Sequence, residues 1–225
     1  MHEINSPAQL KASARNGMSG HYSFLILVLF TGFIVLFLFS IFCDVPPVTF
    51  LLMQLFSFHM SRIYLMTLHG EKAAVMDLFA GNPDHKKETQ AIGAACIITL
   101  IHFLCMLPSD ILYRMMESNS SAALFLLYCV AFSAGLVIFC LLYLNLFPVY
   151  YLVSDCPAET MTETLKMAVF LSKGHRFRLF YLIAGFLPLF LLSMLSFGIG
   201  LLWVIPYMQA TLTYFYLNLT ENKSA

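Results

Sequence analysis

The stretch "HYSFLILVLFTGFIVLFLFSIFCDVPPVTF", residues 21–50, contains the pattern that decides the fold. Residues 22–43 carry no charge, and a run of about 20 apolar residues is long enough to span the hydrocarbon of a bilayer. Because this run is too long for a signal-peptide core and no small-residue cleavage site follows it, we expect it to remain as a first membrane span. Pro46 and Pro47 prevent the helix from continuing, so a second span is predicted to return across the bilayer as a hairpin.

The rest of the chain repeats this apolar pattern. Hydrophobic residues make up 60% of the sequence and charged residues 11%, with a mean hydropathy of +0.81, whereas soluble domains carry about 25% charged residues. The predicted class is therefore an all-α membrane protein with six transmembrane helices, forming a single multi-pass domain over residues 1–225. The predicted spans are residues 22–43, 49–68, 89–107, 122–144, 179–197 and 201–219.

The positions of the basic residues predict the orientation of these spans. Of the 12 Lys and Arg residues, ten fall on the side that also holds both chain ends. Only Arg114 falls on the opposite side, and Arg62 lies within span two. Because basic residues accumulate in cytoplasmic loops, both termini are predicted to be cytoplasmic, in the cytoplasmic membrane of a bacterial cell.

Amphipathic segments precede the predicted hairpins, which suggests three repeats of a cytoplasmic interfacial helix followed by two spans. The first unit has an interfacial helix at 6–21 and spans over 22–68, and Ser6-Pro7-Ala8-Gln9 forms a capping box at its start. The third has an interfacial helix at 157–173 and spans over 179–219. The second unit, 71–144, has a weaker candidate helix at 71–80. Gly20-His21 and Gly174-His175 occupy equivalent places before spans one and five.

Basic residues cluster between the last interfacial helix and span five, in "LSKGHRFRLF" at residues 171–180. Lys173, His175, Arg176 and Arg178 form this candidate lipid or anion contact. In one interpretation they anchor the helix, with their side chains reaching lipid phosphates. In the other they form a specific site for a lipid headgroup or a partner.

Span two carries an unusual set of polar residues, of which Gln54, His59 and Arg62 form a candidate intramembrane polar face. An ionisable group inside a bilayer is costly and is therefore a functional hypothesis by default. The alternatives are that the face packs within the bundle, with Arg62 reaching the interface, or that it lines a polar pathway or ligand cavity.

Catalytic and cofactor motifs are not found in the sequence. There is no H-E-x-x-H, G-x-S-x-G, P-loop or dinucleotide-binding pattern, and the cysteines lack metal-ligand spacing. We therefore predict no catalytic residue, no metal and no cofactor, and a protein that is not an enzyme. The net charge of zero gives no reason to expect a nucleic-acid partner.

Two stretches in the C-terminal half resemble an uncharacterised bacterial membrane family, the domain of unknown function 975. They are Phe147-Pro148-Val149-Tyr150-Tyr151 continuing to Asp155-Cys156-Pro157 and then 172–180, and Gly198-Ile199-Gly200-Leu201-Leu202-Trp203 continuing to Pro206-Tyr207. The resemblance implies a six-span membrane protein and brings no known reaction. The chain is also distantly similar to the membrane portion of glycerophosphodiester phosphodiesterases, which implies an anchoring role and no catalysis.

Two functional hypotheses follow. The first is a non-enzymatic scaffold, accessory or lipid-interacting membrane module, with membrane lipids and other membrane proteins as partners. The second is a small transporter or an export- or immunity-type membrane protein that uses a polar cavity near span two. The sequence leaves homo-oligomerisation open.

Overall fold

The computed structural model describes residues 6–43, 45–80, 84–118, 121–155 and 160–224, and these are helical almost throughout, with no strand among them. One 3-10 turn, Val75–Leu78, interrupts a series of α-helices. The helices are α1 (Pro7–Gly17), α2 (Tyr22–Phe42), α3 (Pro46–Leu68), α4 (His85–Ser118), α5 (Ala122–Leu146), α6 (Val149–Asp155), α7 (Met161–Ser172), α8 (Arg176–Ala184), α9 (Leu187–Leu195) and α10 (Leu201–Ser224).

Four stretches of the described chain are long and apolar enough to cross a membrane: Tyr22–Phe42, His85–Glu117, Ala122–Asp155 and Arg176–Leu195. Their apolar side chains face outward. In the apolar window of Ala122–Asp155 only 6% of the residues are buried, and Phe33 and Leu126 are 63% and 68% exposed. Extended apolar surfaces of this kind are typical of helices surrounded by lipid.

The other two predicted spans, α3 and α10, have 23 and 24 residues but do not reach the same apolarity. Their polar side chains explain the difference, because they face the protein interior. Gln54 on α3 is 7% exposed, and Thr211, Thr213 and Asn218 on α10 are 0%, 0% and 7% exposed. These two helices therefore supply the centre of the bundle, and the four apolar stretches surround them.

The long helices pair as three antiparallel hairpins. In the first, Gly32 of α2 lies against the ring of Phe56 on α3. In the second, Gly135 of α5 lies against the backbone of Cys105 on α4, a close approach that a small residue allows. In the third, α8 and α9 run back along α10, and the rings of Phe186 and Tyr207 are 5.3 Å apart.

The predicted fifth span is broken at Gly185-Phe186, just before Pro188, into α8 and α9. The break leaves the carbonyl of Gly185 available, and Lys11 of α1 donates a hydrogen bond to it from Nζ at 2.9 Å. The same ammonium lies 4.3 Å from the centroid of the Phe186 ring. Partial burial lowers the pKa of Lys11, a desolvation cost that these two contacts offset. These two contacts hold α1 against the hairpin formed by α8, α9 and α10.

The structure confirms the predicted start of α1 and corrects two other segments. Ser6 and Gln9 form the capping box expected at the start of α1. The helix suggested over 71–80 is only the 3-10 turn Val75–Leu78, in which the Asp77 carboxylate accepts a hydrogen bond from the backbone N–H of Ala74 at 2.7 Å. The external loop expected after residue 107 is instead helical, because α4 continues through Pro108 to Ser118.

The last predicted interfacial helix is present but begins later than expected. Residues 157–159 lie outside the described residues, and α7 starts at Met161 behind a capping box formed by Thr160 and Glu163. The local similarity between the first and third units is visible in the backbone. Gly20 and Gly174 have φ angles of 87° and 89°, a left-handed conformation that glycine adopts readily. Each precedes a histidine that immediately flanks the next helix.

Candidate functional site

The polar face predicted on α3 lies inside the protein. The Gln54 side chain accepts a hydrogen bond from the buried Tyr150 hydroxyl of α6 at 3.0 Å. His59 is 9% exposed, and its Nε2 lies 3.8 Å from Oε1 of Glu88 on α4. Gln54 and His59 therefore contact the neighbouring helices α6 and α4. The Gln54 carbonyl is satisfied there, whereas the buried Nδ1 of His59 has no hydrogen-bond partner among the described residues.

Arg62 departs from this arrangement. It lies about one turn beyond His59 and is half-buried at the wall of a solvent-filled cleft. Its Nη1 is buried and has no hydrogen-bond partner among the described residues. The Arg62 guanidinium also makes no ion pair within 4.0 Å in that part of the chain. An unpaired guanidinium beside a cleft is unusual, because a desolvated cation normally has a counter-ion.

The cleft has a volume of about 360 Å³ and forms where α3 and α6 end and α4 begins. We call it the α3–α4–α6 cleft. Charged and polar side chains dominate its lining: Arg62, His69, Glu71, Lys87, Ser154 and Asp155. Three helices and the segment after α3 thus bring two cations and two carboxylates around one space.

Bonds to the surrounding protein hold two of these charged groups in place. Lys87 donates from Nζ to the backbone carbonyl of Ser154 at 2.8 Å. Asp155 accepts from the Tyr216 hydroxyl at 3.2 Å, through Oδ2. Tyr216 is fully buried and its ring stacks on that of Tyr151 at 5.0 Å. Neither Lys87 nor Asp155 forms an ion pair with the other charged groups of the cleft within 4.0 Å, so the charges of the lining stay apart.

The four basic residues predicted as a lipid contact surround the turn between α7 and α8. Ser172 ends α7 and donates from Oγ to the Asn145 carbonyl at 3.0 Å, which fixes the turn on α5. Lys173 and Arg176 are exposed, whereas His175 and Arg178 are half-buried. His175 and Arg176 border one shallow depression with Ser172, whereas Lys173 and Arg178 do not line it.

Aromatic side chains flank the two exposed cations. Phe170 on α7 is 62% exposed and Phe177 on α8 is 89% exposed. We call Phe170, Lys173, Arg176 and Phe177 the basic–aromatic surface. Cations and exposed aromatic rings occur together in this way at membrane–water interfaces.

Sequence reasoning found Arg62 but missed the rest of the cleft. Lys87 entered the prediction only as one of the ten basic residues on the cytoplasmic side. Glu71 entered it only as the first residue of the candidate helix over 71–80, and Asp155 only within a stretch that carries the family resemblance. Each lies where a helix starts or where one has just ended. The signal that could have joined them is the presence of both charge signs at the same-side ends of helices predicted to be neighbours. No three His, Cys, Asp or Glu side chains within the described ranges converge as a metal site.

These features define the class of protein: an all-helical chain with apolar helices of membrane-spanning length, whose charged side chains gather where the helices end. More narrowly, the chain belongs to the DUF975 family, described as a protein of unknown function, which it matches over residues 2–223. The resemblance noted in the sequence is thereby confirmed. No curated protein matches the chain, and no solved structure does.

Proposed function

We propose that this protein is a non-enzymatic integral membrane protein of the bacterial cytoplasmic membrane, acting as a lipid-interacting scaffold or accessory module. The observation that carries the proposal is the basic–aromatic surface. Its two exposed cations would meet anionic headgroups, each contributing about 1 kcal/mol near a membrane surface. Phe170 and Phe177, exposed beside them, would enter the boundary between headgroups and acyl chains.

The proposed topology has six crossings with both chain ends in the cytoplasm. The three antiparallel hairpins support it, since α3 and α10 accompany apolar partners that are long enough to cross. Their lower apolarity agrees with a position inside the bundle and away from lipid. One contact is at odds with this topology: the Tyr22 hydroxyl donates to the Trp203 carbonyl at 3.1 Å, although the helices α2 and α10 that these residues begin would start at opposite faces of the membrane.

A three-unit plan is also part of the proposal. The element that opens each unit packs on the closing helix of another unit: the 3-10 turn on α3, α7 on α5, and α1 on α10. The first two contacts join neighbours in sequence, whereas the third joins the two ends of the chain. Together they would close the three units into a ring.

The topology can be tested with reporters. A green fluorescent protein fused after Ala225 is expected to fluoresce, because it folds in the cytoplasm, and alkaline phosphatase at the same position is expected to be inactive. Alkaline phosphatase inserted between residues 119 and 120 should show the opposite behaviour, since this position lies on the outer side of the membrane in the proposed topology. An active phosphatase after Ala225 would contradict it.

The lipid role predicts that Lys173→Gln combined with Arg176→Gln weakens the binding of phosphatidylglycerol about 30-fold, because two cations that contribute about 1 kcal/mol each are lost. Native mass spectrometry of the detergent-purified protein with added lipid measures the change. Arg15→Gln combined with Lys86→Gln is the matched control, because it removes the same charge from exposed positions elsewhere. If the two double variants retained equal amounts of lipid, lipid binding by the basic–aromatic surface would be contradicted.

The transporter hypothesis has less support. Gln54 and His59 contact Tyr150 and Glu88, so this part of the polar face is filled by protein. Arg62 reaches a cleft, but the cleft lies where α3 and α6 end rather than along α3.

A further inference from the structure

The α3–α4–α6 cleft has a charge composition that suits one class of ligand. Its charged lining consists of two cations, Arg62 and Lys87, and two carboxylates, Glu71 and Asp155, so the charges cancel. None of the four pairs with another within 4.0 Å. A simple anion drawn to Arg62 would also meet the two carboxylates, whereas a ligand carrying both charges would interact favourably with both sets.

We propose that this cleft binds a zwitterion made of a phosphate group and an ammonium group, the chemistry of a phosphoethanolamine headgroup. The phosphate would be bound by Arg62, whose planar guanidinium matches phosphate oxygens in pairs, and by Lys87. The ammonium would be bound by Glu71 and Asp155. The volume of about 360 Å³ is ample for such a headgroup.

The donors needed for the phosphate are present in the structure. Arg62 lines the cleft and pairs with no carboxylate within 4.0 Å among the described residues, so the face of its guanidinium that borders the cleft is available to a phosphate. The Lys87 ammonium has three N–H donors. One donates to the Ser154 carbonyl, and the other two are available to a ligand.

The acceptors for the ammonium are also available. Asp155 engages the Tyr216 hydroxyl through Oδ2, and its other oxygen has no hydrogen bond among the described residues. Glu71 follows the end of α3 and is exposed. A ligand ammonium could therefore reach both carboxylates without breaking a bond that the protein already makes.

The position of the cleft indicates that the ligand is a lipid headgroup. It lies where α3 ends and α4 begins, which in the proposed topology is the level of the cytoplasmic headgroups. This placement rests on the proposed function, whereas the charge pattern of the cleft does not. The same chemistry could be supplied by a phospholipid or by soluble phosphoethanolamine, and the experiment has to separate the two.

The test uses the full-length protein in detergent and isothermal titration with three probes. They are dihexanoylphosphatidylethanolamine, free phosphoethanolamine and dihexanoylphosphatidylglycerol. In protein carrying Lys173→Gln and Arg176→Gln, which lacks the cations of the basic–aromatic surface, the cleft is expected to bind phosphatidylethanolamine about tenfold more tightly than phosphatidylglycerol. Binding of the lipid alone would identify a membrane ligand. Binding of free phosphoethanolamine at similar strength would identify a soluble one, and either result supports the site.

Variants assign the two halves of the site. Arg62→Gln should weaken the binding of phosphatidylethanolamine and of free phosphoethanolamine about tenfold, while Lys86→Gln, which replaces a neighbouring exposed cation outside the cleft, should change neither. Glu71→Gln, in an exposed segment where folding is not at risk, should reduce or reverse the preference for phosphatidylethanolamine over phosphatidylglycerol.

Two results would overturn the proposal: Lys173→Gln and Arg176→Gln protein that binds phosphatidylglycerol as tightly as phosphatidylethanolamine, or Arg62→Gln protein that binds phosphatidylethanolamine as the wild type does. The Lys173→Gln and Arg176→Gln double variant is a second control. It should retain phosphatidylethanolamine binding even when it loses phosphatidylglycerol, so failure of this site and failure of the basic–aromatic surface can be told apart.

Discussion

Replacing Gly135 by alanine is expected to lower the melting temperature of the detergent-solubilised protein by about 5 °C. A Cβ atom at this position would overlap the backbone carbonyl oxygen of Cys105 on α4, and backbone cannot rotate away as a side chain can. Forcing an extra methyl group into a packed interface costs about 1–3 kcal/mol. In a chain of this size each kcal/mol corresponds to about 2–4 °C.

The matched control is Gly93→Ala on α4. The nearest atom to a Cβ there is Met161 Cγ at 3.8 Å, an ordinary contact, so the methyl group fits. Alanine also favours a helix over glycine by about 1 kcal/mol, so this variant should melt at or above the wild-type temperature. Heating followed by fluorescence-detected size-exclusion chromatography measures both variants. Equal melting temperatures for the two would contradict the close approach of α4 and α5.

Tyr216→Ala is expected to destabilise the protein by about 3–5 kcal/mol, the usual cost of truncating a buried aromatic ring. Tyr216 is fully buried, stacks on Tyr151 and anchors Asp155 through its hydroxyl. The variant therefore loses packing between α10 and α6 and releases a carboxylate of the α3–α4–α6 cleft. We expect a severe loss of the monodisperse species after purification.

Tyr216→Phe separates the two contributions. It keeps the ring stacked on Tyr151 and removes only the hydroxyl, so it should cost about 1 kcal/mol. Comparing the melting temperatures of the two variants measures the contribution of packing directly. If Tyr216→Phe were as damaging as Tyr216→Ala, the hydrogen bond to Asp155 rather than the aromatic packing would hold α10 to α6.

Local signals in the sequence predicted the start of α1 and, to within three residues, the boundaries of the two helices of the first hairpin. The capping box at Ser6 and Gln9 acts within one turn, so sequence neighbours are enough to form it. Pro46 begins α3 at its first turn, where proline is tolerated, so the second helix starts three residues earlier than predicted. The apolar runs also identified four membrane-type helices.

Features that depend on distant residues were not predictable in the same way. Pro108 reads as a helix end, yet α4 continues through it, because a backbone in apolar surroundings has to keep its hydrogen bonds. The α3–α4–α6 cleft brings Arg62, Lys87 and Asp155 together from three helices. No sequence spacing predicts that these three residues lie close together, because their proximity results from how the helices pack.

The attachment of α1 has a consequence for how the chain is made. Leu10 packs with Leu179 and Leu182, and Ala14 packs in the cluster that holds Ala210, all residues near the other end of the sequence. During synthesis α1 therefore has to wait for its partners until α8 and α10 have been made. In a nascent or prematurely terminated polypeptide the apolar face of α1 would remain exposed. Quality-control proteases could recognise this face, which the completed protein buries.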